Sequence, residues 1–262
     1  MSSSSTPNGA DLKRVETLSI SPELFEKLYL SPQNNVHGDL RKTFGSPTPL
    51  AIIGFVVALS PASCILMGWR GAKANKLTHS GANYWFGGFL LLFSGFLEFF
   101  LGNTFPAVVF MSYGANFFVF APTFHPFYAA ISSYSGDGSQ TPTETPQFAS
   151  SFAFYLLFMG VLTFIYLICS LRTNLVFVLV FLSAMLGFIL AAASFWTTAL
   201  GEAVGATLLK GSGGSFFVAC IAGWYLLCAI MFATLDLPWG LSGLPVGDLS
   251  TWIKGASEKR KA

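Results

Sequence analysis

The stretch Gly95–Phe118, GFLEFFLGNTFPAVVFMSYGANFF, gathers most of the polar chemistry that this chain sets among apolar residues. Glu98 is the lone charged residue between Lys76 and Asp137. A carboxylate surrounded by hydrocarbon is costly and faces a bundle interior or a water path, so it marks a functional position by default. Glu98 also lies one turn from a helix end, where it can pair with donors of the turn at 102–105 and act as an anchor. Both readings stand at this level: structural anchor, or proton and solute handling. Gly102-Asn103 is too short a break to form an ordinary loop, so a long apolar helix must turn and double back at once. Asn103 or Thr104 is placed to cap the returning helix, and Pro106 is tolerated in its first turn. Tyr113 and Asn116 follow on that helix. Tyr113 suits a pore wall, or equally a buried hydroxyl bonded to a neighbour.

The elements that position these groups are set by composition. With 53% hydrophobic and 10% charged residues in 262, the chain has too few charges to cover a water-soluble globule. Windows free of Asp, Glu, Lys and Arg run over Thr43–Trp69, Phe99–Gly136, Thr145–Leu171, Thr173–Gly201 and Gly211–Leu235. A bilayer crossing takes about 20 apolar residues, so each window can hold a span. Leu77–Leu97 supplies another. The pattern predicts an all-α, integral membrane bundle of six transmembrane helices near 49–68, 83–101, 104–121, 149–171, 174–198 and 214–235. A soluble bundle would need polar faces, and Phe177–Phe195 has none.

Three regions follow: a tail over 1–45 with a short amphipathic helix at about 21–31, a transmembrane domain over 46–236, and a tail over 237–262. Ser21-Pro22-Glu23 opens the short helix, and Leu24, Phe25 and Leu28 form its apolar side. It can rest at the headgroups or gate a pore mouth. Six spans put both tails on one side. That side carries Lys13, Arg14, Lys27, Arg41, Lys42, Arg172, Lys254, Lys259, Arg260 and Lys261, against Arg70, Lys73, Lys76 and Lys210, which predicts cytoplasmic termini. Trp69, Trp85, Trp196 and Trp239 sit at span ends as an aromatic belt.

Within the spans, Gly54, Ala58 and Ala62 make a small-residue face, as do Ser183, Gly187 and Ala191, and Ala219 and Gly223, so close helix packing is expected. Pro61 should kink the first span and free the carbonyl near Val57.

No nucleotide loop, metal-binding pair or nucleophile elbow is present, so the reading is not an enzyme, with no cofactor and no metal. His37, His79 and His125 lie outside or at the ends of spans, and Cys64, Cys169, Cys220 and Cys228 read as free thiols within spans. A net charge of +2 gives no reason to expect nucleic acid. No Lys or Arg lies deep in a span. A permeating anion would therefore depend on helix N-termini and Asn, Ser, Thr and Tyr donors, or cross protonated and neutral.

Several of these motifs resemble the acetate uptake transporter family, which includes bacterial succinate–acetate permeases and fungal acetate transport and ammonia-export membrane proteins. Ser46-Pro47-Thr48-Pro49-Leu50 is similar to that family's Asn-Pro-x-Pro-Leu motif. Gly87-Gly88, Gly95-x-x-Glu98, Gly102-Asn103-Thr104-Phe105 and Ser112-Tyr113-Gly114 match its second and third helices in order and spacing. Residues 21–44 are similar to the tails of filamentous-fungal members. The resemblance implies a plasma-membrane, six-helix protomer with its own central pore, assembled as a homohexamer. It also implies carriage of acetate and related short monocarboxylates, sometimes succinate, with protons. A hydrophobic ring would narrow the pore at Phe55, Tyr113 and either Leu182 or Ala184. Three positions depart from the family pattern: Ser46 for Asn, Leu91 for a Gln, and Asn116-Phe117 for Phe-Trp. Those departures leave a non-transporting sensor of acetate or ammonium adaptation, or an ammonium exporter, as alternative expectations.

Overall fold

The computed structural model describes residues 43–72, 80–138, 145–238, 243–250 and 252–253. The amphipathic helix expected at about 21–31, Trp239, and the tail residues beyond 253 lie outside the described residues. Helices follow one another as α1 (Thr48–Met67), α2 (residues 80–100), α3 (Thr104–Thr123), α4 (Pro146–Ser170), α5 (Leu175–Ala199) and α6 (Val204–Thr234). Among the described residues there are no strands. Five helices, all but α2, are individually long and apolar enough to cross a membrane. The sixth, α2, is a continuous run of Ser80–Ala82, a π-helical Asn83–Leu90 and an α-helical Leu91–Phe100. At about 1.5 Å per residue it reaches about 30 Å, the thickness of a hydrocarbon layer.

Local chemistry sets the ends. Pro47 O accepts from the amides of Leu50 and Ala51, which starts α1 at the Pro-x-Pro-Leu motif. Gly68, left-handed at φ 75°, ends it by returning its N–H to Cys64 O and Ile65 O. Asn174 Oδ1 accepts from Phe177 N at 2.9 Å and caps α5. Pro146 occupies the first turn of α4.

One span differs from the sequence expectation. α6 begins at Val204, ten residues before the expected start at 214, and includes Lys210 on its exposed side. The charge-free window used to place this span opens only after Lys210. Two glycines of this helix serve packing, because a Cβ at Gly205 would strike Thr198 and one at Gly213 would strike Leu66. At 31 residues α6 is about 46 Å long, so it tilts or extends past the hydrocarbon layer. Pro61 lies within an unbroken α1 with its ring exposed.

The helices form a closed ring. α1 packs between α2 and α6, α6 against α5, α5 against α4, and α2 against α3. The small-residue faces make these approaches possible. A Cβ at Gly54 would lie 2.6 Å from Phe86 O of α2, and one at Gly223 would strike Val56 of α1. Ser212 of α6 donates to Gly187 O of α5 at 2.8 Å. The ring closes between α3 and α4 in a different way, through long side chains rather than close backbones. Tyr155 OH donates to Asn116 Oδ1 at 2.8 Å, Tyr113 bonds Thr163 at 2.9 Å, and Tyr166 bonds Ser112 at 2.9 Å.

Residues 243–250, expected as part of a free tail, return to the bundle at the end where α1 and α5 begin. Leu175 N donates to Gly247 O at 2.8 Å, and Leu249 N donates to Thr173 O at 3.0 Å. Val246 is buried against Ile52, Leu226 and Ile230.

Candidate functional site: an apolar cavity and a buried carboxylate

The ring of helices encloses a cavity of about 140 Å³ walled almost wholly by carbon. Phe55 of α1, Tyr113 of α3 and Ala184 of α5 all line it, as do Leu91, Asn116 and Phe117. Leu182 does not. It is 41% exposed on the outer face, because it lies one residue, about 100°, around α5 from Phe181. Phe181 and Ala184, three residues apart, share the inward face. Phe181 is the member of this wall that sequence reasoning passed over. It is 2% exposed, stacks on Tyr113 (ring centroids 6.4 Å, 17°) and on Phe177 (6.1 Å, 17°), and meets Phe105 edge-on at 6.1 Å. Its place in an inward aromatic series with Phe177 and Phe188, at helical spacing, was the available signal.

A second, smaller void of about 10 Å³ lies next to the first and reaches Thr48. Val109, Phe110, Phe177 and Phe181 line both and stand between them. About one water fits such a space. The aromatic wall is therefore the tight point between the cavity and the end of the bundle where α1 starts.

Behind Thr48 lies the carboxylate. Glu98 is fully buried, and both of its oxygens are engaged: Thr48 Oγ1 donates to Oε1, and Asn103 Nδ2 donates to Oε2 at 2.6 Å. Asn103 occupies the N-cap position of α3 without capping it through its side chain, contrary to the sequence expectation. The amide N–H donates to the buried carboxylate, a charge-assisted bond that fixes the direction of the Asn103 side chain. The turn itself is held by Asn103 N donating to Glu98 O at 2.9 Å and by Gly102 at φ 79°. Glu98 thus ties the start of α1, the end of α2 and the start of α3 together. It lines neither cavity. Thr104 is exposed, whereas Pro47 is buried and Pro49 and Leu50 are half-buried in the first turn of α1.

The hydroxyls between α3 and α4 have fixed directions. Thr163 gives its hydrogen to Met159 O at 2.7 Å, so Tyr113 is the donor in its bond to Thr163. Ser112 donates to Val109 O at 2.9 Å, so Tyr166 donates to Ser112. The hydrogen of Tyr113 is therefore committed to Thr163, and its oxygen keeps only acceptor capacity. None of the residues lining either cavity is Lys, Arg, His, Asp or Glu.

A ring of membrane-length helices around a narrow, uncharged cavity defines a multi-span membrane protein built to hold or pass a small solute. The profile of the GPR1/FUN34/yaaH family matches residues 30–238, and the chain belongs to that family. It is 43% identical over 245 residues to Protein alcS of Aspergillus fumigatus, covering 92% of this chain and 89% of that one. It is 29% identical over 188 residues to Acetate permease A of Emericella nidulans, covering 70% and 60% respectively. The solved structure of the bacterial acetate channel SatP aligns with a TM-score of 0.58 at 23% identity, covering 78% of this chain and 99% of that chain, which shows a shared fold.

Proposed function

We propose that this protein is a transmembrane pathway for acetate and related short-chain carboxylates, moved together with protons, and that it catalyses no covalent chemistry. The observation that carries the reading is the cavity of about 140 Å³ inside a ring of helices, in a chain of this family. A cavity of about 150 Å³ accommodates benzene in another protein, so a two-carbon acid has ample room. The absence of a cation on the lining supports movement of the solute together with protons. An unpaired anion in such surroundings costs many kcal/mol, on the order of 10 or more, so the charge is neutralised before entry. Phe55, Tyr113, Phe181 and Ala184 form the constriction in this reading, and Glu98 fixes the helix ends that frame the mouth. The family relationship and the arginine and lysine distribution support a plasma-membrane location with cytoplasmic termini and assembly as a homohexamer. Succinate is a further candidate substrate by resemblance alone.

The test is an acetate pulse applied to vesicles that hold the purified protein and a pH-sensitive dye inside. Luminal acidification faster than in protein-free vesicles supports the reading, and identical rates sink it. The aromatic wall at Phe177 and Phe181, with the departures at Leu91, Asn116 and Phe117, favours one second reading: a sensor that binds the acid without passing it. Acetate-dependent stabilisation of the purified protein without acidification would select the sensor.

A further inference from the structure

Two amides on the cavity wall have no part in the constriction. Asn83 opens the π-helical stretch of α2, lines the cavity and is 3% exposed. Its Oδ1 is buried without a hydrogen-bond partner, and among the described residues its amide makes no hydrogen bond at all. Buried amides are nearly always paired, and an orphan in a native chain points to something that completes it. π-helical turns also concentrate at functional sites. Asn116 of α3, 7% exposed, lines the same cavity. Tyr155 OH occupies its Oδ1 at 2.8 Å, which leaves Nδ2 as a donor with nothing to bond. The resemblance described above implies an aromatic residue at this position, where this chain has an amide.

The groups left over are the whole amide of Asn83, acceptor and donor alike, an amide donor at Asn116 and the acceptor capacity of the Tyr113 oxygen. An un-ionised carboxylic acid is their complement, since its O–H donates and its C=O accepts. A carboxylate has acceptors only, so it would leave Asn83 Oδ1 unpaired and its own charge uncompensated. Among the described residues, the one ionisable side chain on the cavity lining is the Tyr113 phenol. We propose that Asn83 and Asn116 form a recognition site for the un-ionised carboxyl group of a short acid, and that this site selects the protonated species. The proposal rests on the transport reading for its solute and can be tested apart from it.

The experiment measures thermal unfolding of the detergent-purified full chain with and without acetate at about pH 5 and about pH 8, and with acetamide at both. Acetamide offers a donor and an acceptor at every pH. The site predicts stabilisation by acetate that fades at the higher pH and stabilisation by acetamide that does not. It also predicts loss of both in Asn83→Leu and Asn116→Leu, with vesicle uptake of labelled acetate reduced at least about tenfold. Stabilisation by acetate that is equal at the two pH values, or unchanged in both variants, overturns the site. Ligand-stabilised protein that passes no acetate overturns transport and leaves the site standing. Uptake that persists unchanged in both variants does the reverse. Should a leucine variant fail to fold, acetamide competition against labelled acetate uptake by the unmodified protein decides: competition upholds the site, and its absence overturns it.

Discussion

Asn103 Nδ2 lies 2.6 Å from Glu98 Oε2, donating from the N-cap position of α3 to a carboxylate at the end of α2. That one bond converts a two-residue break into a rigid corner, and Thr48 extends the corner to α1. Replacing Glu98 with Ala leaves two buried donors without their acceptor. The expected cost is about 3–5 kcal/mol, read as a large fall in the unfolding midpoint of the purified protein. Glu98→Gln keeps one acceptor and should cost less than half as much. Vesicle uptake by Glu98→Gln then separates two roles. An unchanged pH profile in a less stable protein marks an anchor, and a flattened profile marks a proton-handling group.

Tyr113→Phe removes the hydrogen donated to Thr163 but keeps the ring that stacks on Phe181. Thr163 remains bonded to Met159, so the stability cost is about 0.5–1.5 kcal/mol and assembly persists. Acetate flux should change, because an acceptor on a residue that lines the cavity disappears. Normal flux would remove Tyr113 from the pathway.

Phe181→Ala opens the wall between the two voids. A buried Phe lost to Ala costs about 3–5 kcal/mol, yet flux of propionate and butyrate relative to acetate should rise. Leu182→Ala, one residue away on the outer face, should leave both flux and selectivity unchanged. A Leu182 effect on selectivity equal to that of Phe181 would refute the assignment of faces.

Gly54→Ala places a methyl group 2.6 Å from the Phe86 carbonyl of α2, a backbone atom that cannot swing aside. Overpacking of this kind costs about 1–3 kcal/mol, visible as a lower yield of folded protein. Gly45→Ala, where a Cβ meets nothing, is the matched control.

The architecture was readable from charge-free windows and turn residues, because span length and polarity are written residue by residue. Glu98, Asn103, Tyr113 and Asn116 stood out for the same reason: a polar side chain amid hydrocarbon is conspicuous. What those groups bond to was not readable. Asn103 looked like a cap because caps are local, whereas its partner is set by the fold of the corner. Phe181 was hidden among other apolar neighbours until the helix phase separated it from Leu182. Asn83 was missed because its position at a span end suggested solvent, and the π-helical turn that carries it into the cavity leaves no period in the sequence. The start of α6 was obscured by Lys210, a charge that closed the apolar window although the helix runs through it.

The central claim is that this ring of helices passes a short carboxylic acid, and labelled-acetate uptake into vesicles holding the purified protein, at two external pH values, tests it most directly. The account predicts saturable uptake above protein-free vesicles, faster at the lower pH and slowed by Tyr113→Phe. Uptake no greater than in protein-free vesicles at either pH, from a folded and assembled protein, would contradict it.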